Sequence, residues 1–188
     1  YTFSYDNNGN VTDDGKRSFT YTSFDKPSRI TQGTNTTDFS YGPARELYKR
    51  VDVRAGQTTS TLMIDGIYEQ VTLPSGVVEH KYSVGDAVVT KRSNGDNVTN
   101  YVHKDHLGST IAVTKADGNI LQQFIYDPWG KQYTVYTDTI SMMNFTSEAT
   151  SKGYTGHEMV NDFDVIHMGG RTYNPALGRF MQADPHIQ

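Results

Sequence analysis

Apolar and polar residues alternate along this chain in short runs, and turn-forming residues break the runs at regular intervals. Over 61–131 the breaks fall at Asp65-Gly66, Pro74-Ser75-Gly76, Gly85-Asp86, Asn94-Gly95-Asp96, Leu107-Gly108, Asp117-Gly118 and Asp127-Pro128-Trp129-Gly130. The interval is about ten residues, that of an antiparallel meander. It predicts strands over 77–82, 87–92, 98–103, 110–115 and 120–126. The alternation is imperfect, which predicts a sheet that curves or has both faces partly covered.

The first 60 residues carry an internal repeat. Phe3-Ser4-Tyr5, Phe19-Thr20-Tyr21 and Phe39-Ser40-Tyr41 share one pattern. Turn-prone residues follow each, at Asp6-Asn7-Asn8-Gly9-Asn10, Asp25-Lys26-Pro27-Ser28 and Gly42-Pro43. Each unit reads as strand, turn, strand, and neighbouring units bury together the aromatic face that one hairpin cannot. The rhythm lapses over 133–153, where Met142, Met143 and a polar stretch leave a short helix and a surface loop equally open. Strand signals resume at Gly153.

Composition sharpens this into an all-β chain: 35% of residues are hydrophobic, with 17 Gly and 13 Tyr. The 17 basic and 21 acidic residues give a net charge of −4 without a basic run, so nucleic acid is not an expected partner. No apolar run approaches the ~20 residues that span a bilayer, so membrane insertion is not expected. The first residues have no signal-peptide pattern, so an export signal is expected upstream. The absence of cysteine excludes disulfides and thiolate metal sites.

Candidate chemistry is sparse. His103 and His106 are separated by two residues and His157 precedes Glu158, but alternation sends the first two to opposite sides, so structural histidines are expected and no metal or cofactor. Ser83 and Ser109 lack a nucleophile-elbow context, and no glycine-rich phosphate loop is present. Trp129 reads as a turn anchor, with a sugar-stacking platform as the alternative ligand contact.

Four segments in order carry a family resemblance: Asp105-His106-Leu107-Gly108-Ser109-Thr110, Tyr126-Asp127-Pro128-Trp129-Gly130, Gly153-Tyr154-Thr155-Gly156-His157-Glu158, and Gly170-Arg171-Thr172-Tyr173-Asn174-Pro175 through Gly178-Arg179-Phe180-Met181-Gln182-Ala183-Asp184-Pro185. Together they resemble the RHS repeat-associated core domain, and Tyr5-Asp6-x-x-Gly9-Asn10 resembles the YD repeats that precede it. The family includes bacterial polymorphic toxins, C components of insecticidal toxin complexes and, sharing the repeat, animal teneurins. The resemblance implies an antiparallel hairpin strip that curves into a shell, with repeats over 1–60 and a core domain over 61–188 that plugs one end. It implies a secreted or cell-surface protein. The implied partners are its own C-terminal effector or toxin, the upstream repeats and a shell-closing component.

In toxin members the core resembles an aspartyl autoprotease built on one arginine and two aspartates, one carboxyl holding a proton while the other acts as base. Arg171 and Asp184 match the arginine and the first aspartate; a structural ion pair or turn cap is their alternative. The second aspartate is expected in a later Asp-Pro-x-Gly segment, beyond Gln188. This chain is therefore expected to be a structural shell segment that does not cut itself, while its parent is a candidate autoprotease. A cell-surface adhesion or carbohydrate-binding module is the alternative reading.

Overall fold

The computed structural model describes residues 2–137 and 149–184. Fourteen strands follow one another in a single antiparallel sheet whose spatial order is the chain order: β1 (Ser4–Tyr5), β2 (Val11–Asp13), β3 (Ser18–Tyr21), β4 (Pro27–Gln32), β5 (Asn35–Tyr41), β6 (Leu47–Arg54), β7 (Gln57–Ile64), β8 (Tyr68–Thr72), β9 (Val78–Val84), β10 (Ala87–Arg92), β11 (Asn97–Lys104), β12 (Thr110–Lys115), β13 (Ile120–Tyr126) and β14 (Gln132–Thr137). A second sheet follows, of β15 (Glu158–Val160), β16 (Val165–Met168), β17 (Arg171–Asn174) and β18 (Arg179–Phe180). The chain is all-β, as its punctuation predicts. Of the segment that breaks the rhythm, 133–137 continues β14 and 138–148 lies outside the described residues.

The turns share a local rule. In those starting at Asp6, Thr22, Gly42, Leu73, Asp105, Lys115, Asp127 and Gly153, the first N–H bonds the fifth carbonyl and the fourth N–H bonds the first carbonyl. The fourth residue has positive φ, hence Gly9, Gly76, Gly108, Gly118, Gly130 and Gly156, with Asp25 and Arg45 in the same role. Where the first residue is Asp6, Asp105 or Asp127, its Oδ1 accepts from the third and fifth N–H groups. The second and third repeat turns thus span 22–26 and 42–46. Pro27 opens β4 instead of sitting in the turn, at a strand position that tolerates a missing N–H.

A tyrosine precedes several of these turns and ties neighbouring hairpins together. Tyr21 donates its hydroxyl to the Val11 carbonyl, Tyr41 to Pro27 at 2.7 Å and Tyr126 to Thr110 at 2.8 Å. Each acceptor is the first residue after the preceding turn on the same rim of the strip. Of the other described tyrosines, Tyr5, Tyr48, Tyr82, Tyr101, Tyr133 and Tyr136 are exposed, while Tyr68, Tyr154 and Tyr173 are half-buried. The interior is mainly apolar rings and branched chains, with hydrogen-bonded threonines such as Thr37, Thr110 and Thr172 among them.

The second sheet packs inside the strip. Val160, Phe163, Val165 and Met181 form one core with Val11, Phe19, Ile30 and Phe39 of β2 to β5. Ala149 joins Val88, Val102, Val113, Leu121 and Phe124 of β10 to β13 in another. Between them the wall is ionic: Arg50 is buried, bonds Asp52 at 2.8 Å and donates to the Met159 carbonyl, while Glu79 pairs with Arg92 at 2.6 Å and with Lys81 at 3.5 Å.

The same contacts establish the curl. Arg17, just before β3, donates to the Phe163 carbonyl, and Gln132 on β14 accepts from Asn161 at 2.7 Å. Laid flat, the eleven spacings from β3 to β14 would separate these partners by ~50 Å. Asn161 and Phe163 are two residues apart, ~7 Å at most. The strip therefore wraps around residues 158–166 as an incomplete ring, since β1 and β14 do not pair.

Candidate functional site

Arg171 begins β17 and Asp184 follows β18. Their pairing depends on the hairpin between them, in which Tyr173 faces Phe180 and Asn174 faces Arg179. Asn174 Oδ1 accepts from Ala176 N–H at 3.0 Å, and Gly178, at φ 63°, completes the turn. The Met181 N–H bonds the Thr172 carbonyl at 2.9 Å, and the Met181 carbonyl accepts from Val11 N–H at 2.8 Å, which joins this hairpin to the first repeat of the strip.

Arg171 Nη1 lies 3.0 Å from Asp184 Oδ2. The guanidinium is stacked over Phe180, 3.9 Å from its centroid, and Phe180 meets Tyr173 edge on at 5.4 Å. Stacking fixes the plane of the fork, so one edge of it presents to the carboxylate. Asp184 is about half exposed (53%). An ion pair in such a setting contributes at most ~1 kcal/mol to stability, so the pairing is a weak structural brace.

Two of the resemblance-bearing segments meet at Gly178. The Trp129 ring covers it, and a methyl group built on Gly178 would stand 3.1 Å from Trp129 Cε3. Trp129 leaves 60% of its surface exposed, so one side of the ring packs and the rest faces outward. Arg179 lies over Phe3 at 5.2 Å, Ala183 abuts the Gly9 turn, and Tyr154 stacks across Gly130 with its ring 5.7 Å from Tyr126.

The histidines singled out in the sequence lie apart. His103 Nε2 meets Thr114 Oγ1 at 3.0 Å, His106 is an exposed turn residue, and His157 Nδ1 meets Thr155 Oγ1 at 2.8 Å. Among the described residues no three His, Asp or Glu side chains group as a metal site. No helix among them is long and apolar enough to cross a membrane.

Two residues escape sequence reasoning. His167, on β16 behind the apolar pair Val165-Ile166, is buried against Phe39, and burial lowers its pKa to about 4. Tyr41 spends its only hydrogen on Pro27, so the 2.8 Å contact with His167 requires Nε2–H to donate to the phenol oxygen. The other is Gln182, buried against Thr172. A histidine and a glutamine inside apolar runs were the available signals.

Similarity to known proteins agrees with this architecture. Residues 80–187 match the family model described as Teneurin YD-shell. The tRNA3(Ser)-specific nuclease WapA of Bacillus spizizenii is 25% identical over 192 residues, which cover 98% of this chain and 8% of that protein. Teneurin-1 of Mus musculus is 26% identical over 106 residues, 55% of this chain and 3% of its own length. Among solved structures, the TcdB2-TccC3-Cdc42 crystal structure superposes with a TM-score of 0.76 at 15% identity, covering 96% of this chain and 10% of that one. TcdB2-TccC3 without its hypervariable C-terminal region gives the same TM-score over 94% of this chain and 9% of that one. The chain thus spans about a tenth or less of the proteins it matches. With a continuous hairpin strip, a plugging second sheet and a family match over more than half its length, the chain belongs to the Teneurin YD-shell family.

Proposed function

We propose that this chain is a wall-and-plug segment of a secreted or surface-displayed shell that encloses an effector carried by the same polypeptide. One observation carries the reading: the strip curls around its own C-terminal sheet, with Arg17 at one end and Gln132 at the other both bonded to residues 161–163. A wall that carries its own plug separates an inside from an outside. The partners in this reading are the upstream repeats, the effector and a shell-closing component.

Arg171 and Asp184 are, in the same reading, half of the site that severs the effector. The Asp184 carboxylate takes a proton from water as the water oxygen bonds to the scissile carbonyl carbon. The carbon–nitrogen bond then breaks, and the amine departs with a proton from a second carboxyl. Arg171 holds the charge that develops on the oxygens. At about half exposure, the Asp184 carboxylate is open to water and to a scissile segment.

The parent polypeptide tests both halves. The expected result is two bands on a denaturing gel that travel as one particle in native gel filtration, and a single band for Asp184→Asn. Two bands that separate under native conditions would remove the enclosure. Unchanged cleavage in Asp184→Asn would remove the processing role.

A further inference from the structure

Gln182 and Thr172 form a buried clamp between the members of the Arg171–Asp184 pair. In a regular ladder the Thr172 N–H would reach a main-chain carbonyl on the neighbouring strand. It donates instead to Gln182 Oε1 at 2.8 Å. The Thr172 hydroxyl donates to the same oxygen at 3.1 Å and accepts from Gln182 Nε2 at 2.9 Å. Gln182 is 5% exposed and Thr172 fully buried, so these bonds have no competition from water.

The side-chain amide therefore replaces a rung of the ladder. The main chain still pairs at Met181, through its N–H to the Thr172 carbonyl, and after that rung it is free to leave the strand direction. Ala183 turns toward Gly9 while Asp184 comes back to Arg171. Thr172 directly follows Arg171, and Gln182 stands two residues before Asp184. The clamp thus closes a short covalent circuit whose other closure is the ion pair.

We infer that Gln182 is a positioning residue, holding Asp184 at Arg171 in the geometry that processing requires; this rests on the processing role proposed above for that pair. A carboxylate on an exposed segment samples many positions, and a misplacement of ~1 Å is enough to cost a large factor in rate. Gln182 removes that freedom without touching the reacting atoms.

Processing of freshly synthesised parent polypeptide, followed by gel over time and across pH, tests this. Gln182→Leu is expected to slow processing about tenfold and to move the carboxylate limb of the pH profile by about one unit. Thr172→Ser keeps the hydroxyl and is expected to stay within about threefold of wild type. Should Gln182→Leu fail to fold, Thr172→Val removes the hydroxyl alone and is expected to slow processing with the same pH displacement. A folded Gln182→Leu or Thr172→Val that processes at the wild-type rate with an unmoved pH profile overturns the clamp while leaving the Asp184 role intact. Unchanged processing in Asp184→Asn overturns both.

Discussion

The hydroxyl of Tyr126 donates to the carbonyl of Thr110 at 2.8 Å, reaching from the end of β13 to the start of β12. Tyr21 with Val11 and Tyr41 with Pro27 repeat the relationship near the other end of the strip. The tyrosine of the repeat is thus a fastener between successive hairpins, set by the turn that follows it.

Removing one such fastener leaves a part-buried carbonyl unsatisfied. Tyr21→Phe and Tyr126→Phe should each cost ~1 kcal/mol, and Tyr41→Phe more because it also strands the buried His167 Nε2–H, read as a lowered urea midpoint at unchanged slope. Tyr101, exposed on β11, serves as control. Tyr101→Phe should leave the midpoint in place, and equal losses at all four positions would contradict the rule.

Gly178→Ala places a methyl group against Trp129 and asks alanine to hold φ 63°. The expected loss is ~1–2 kcal/mol. Trp129 is the only tryptophan in the chain, so a shift in its emission maximum reports the displaced ring directly. An unchanged spectrum would mean that the ring does not pack there.

His167 makes stability depend on acidity. Burial depresses its folded pKa to about 4 from an unfolded value near 6.5, so the folded state binds the proton less readily. The contribution is fully present above pH 6.5 and is lost as pH falls toward 4, a change of about 3 kcal/mol. Glu69, whose pKa is raised by burial and by Glu158, acts in the opposite sense, so the comparison must be between proteins. Wild type minus His167→Gln, measured by urea unfolding from pH 7 to pH 4, should show this loss. A difference that is flat with pH would contradict the buried neutral imidazole.

Arg17 is the buried tie between rim and plug. It holds Asp14 through Nε at 2.8 Å and Nη2 at 2.5 Å, and it donates to the Phe163 carbonyl. Arg17→Ala strands a buried carboxylate and should cost ~3–5 kcal/mol in thermal or urea unfolding. Asp14→Asn with Arg17→Met should recover part of it, since no charge is then left buried alone.

Much of the strip is legible because its information is local. Gly108, Gly118 and Gly130 announce their turns, and the strands over 110–115 and 120–126 fall where spacing alone puts them. Asp25 and Arg45 occupy the same left-handed position without announcing it, which displaced the expected turns of the second and third repeats. The burial of Arg50 is equally hidden, because Lys49, Arg50 and Asp52 read as a solvated strand, and only the contact of Arg50 with the Met159 carbonyl shows otherwise. The candidate site divides the same way. Arg171 and Asp184 were identifiable through family resemblance, whereas the Gln182 bond to Thr172 depends on where the chain leaves the ladder, which no residue pattern encodes.

Enclosure depends most directly on the docking of the C-terminal sheet within the curled strip. Val160 is buried in the shared core, and Val160→Asp would force a charge into it. Limited proteolysis of the parent polypeptide, wild type against Val160→Asp, measures whether the plug closes the shell. The expected result is an effector that survives in wild type and is digested in the variant while the repeats persist. An effector digested at the same rate in both would contradict enclosure by this segment.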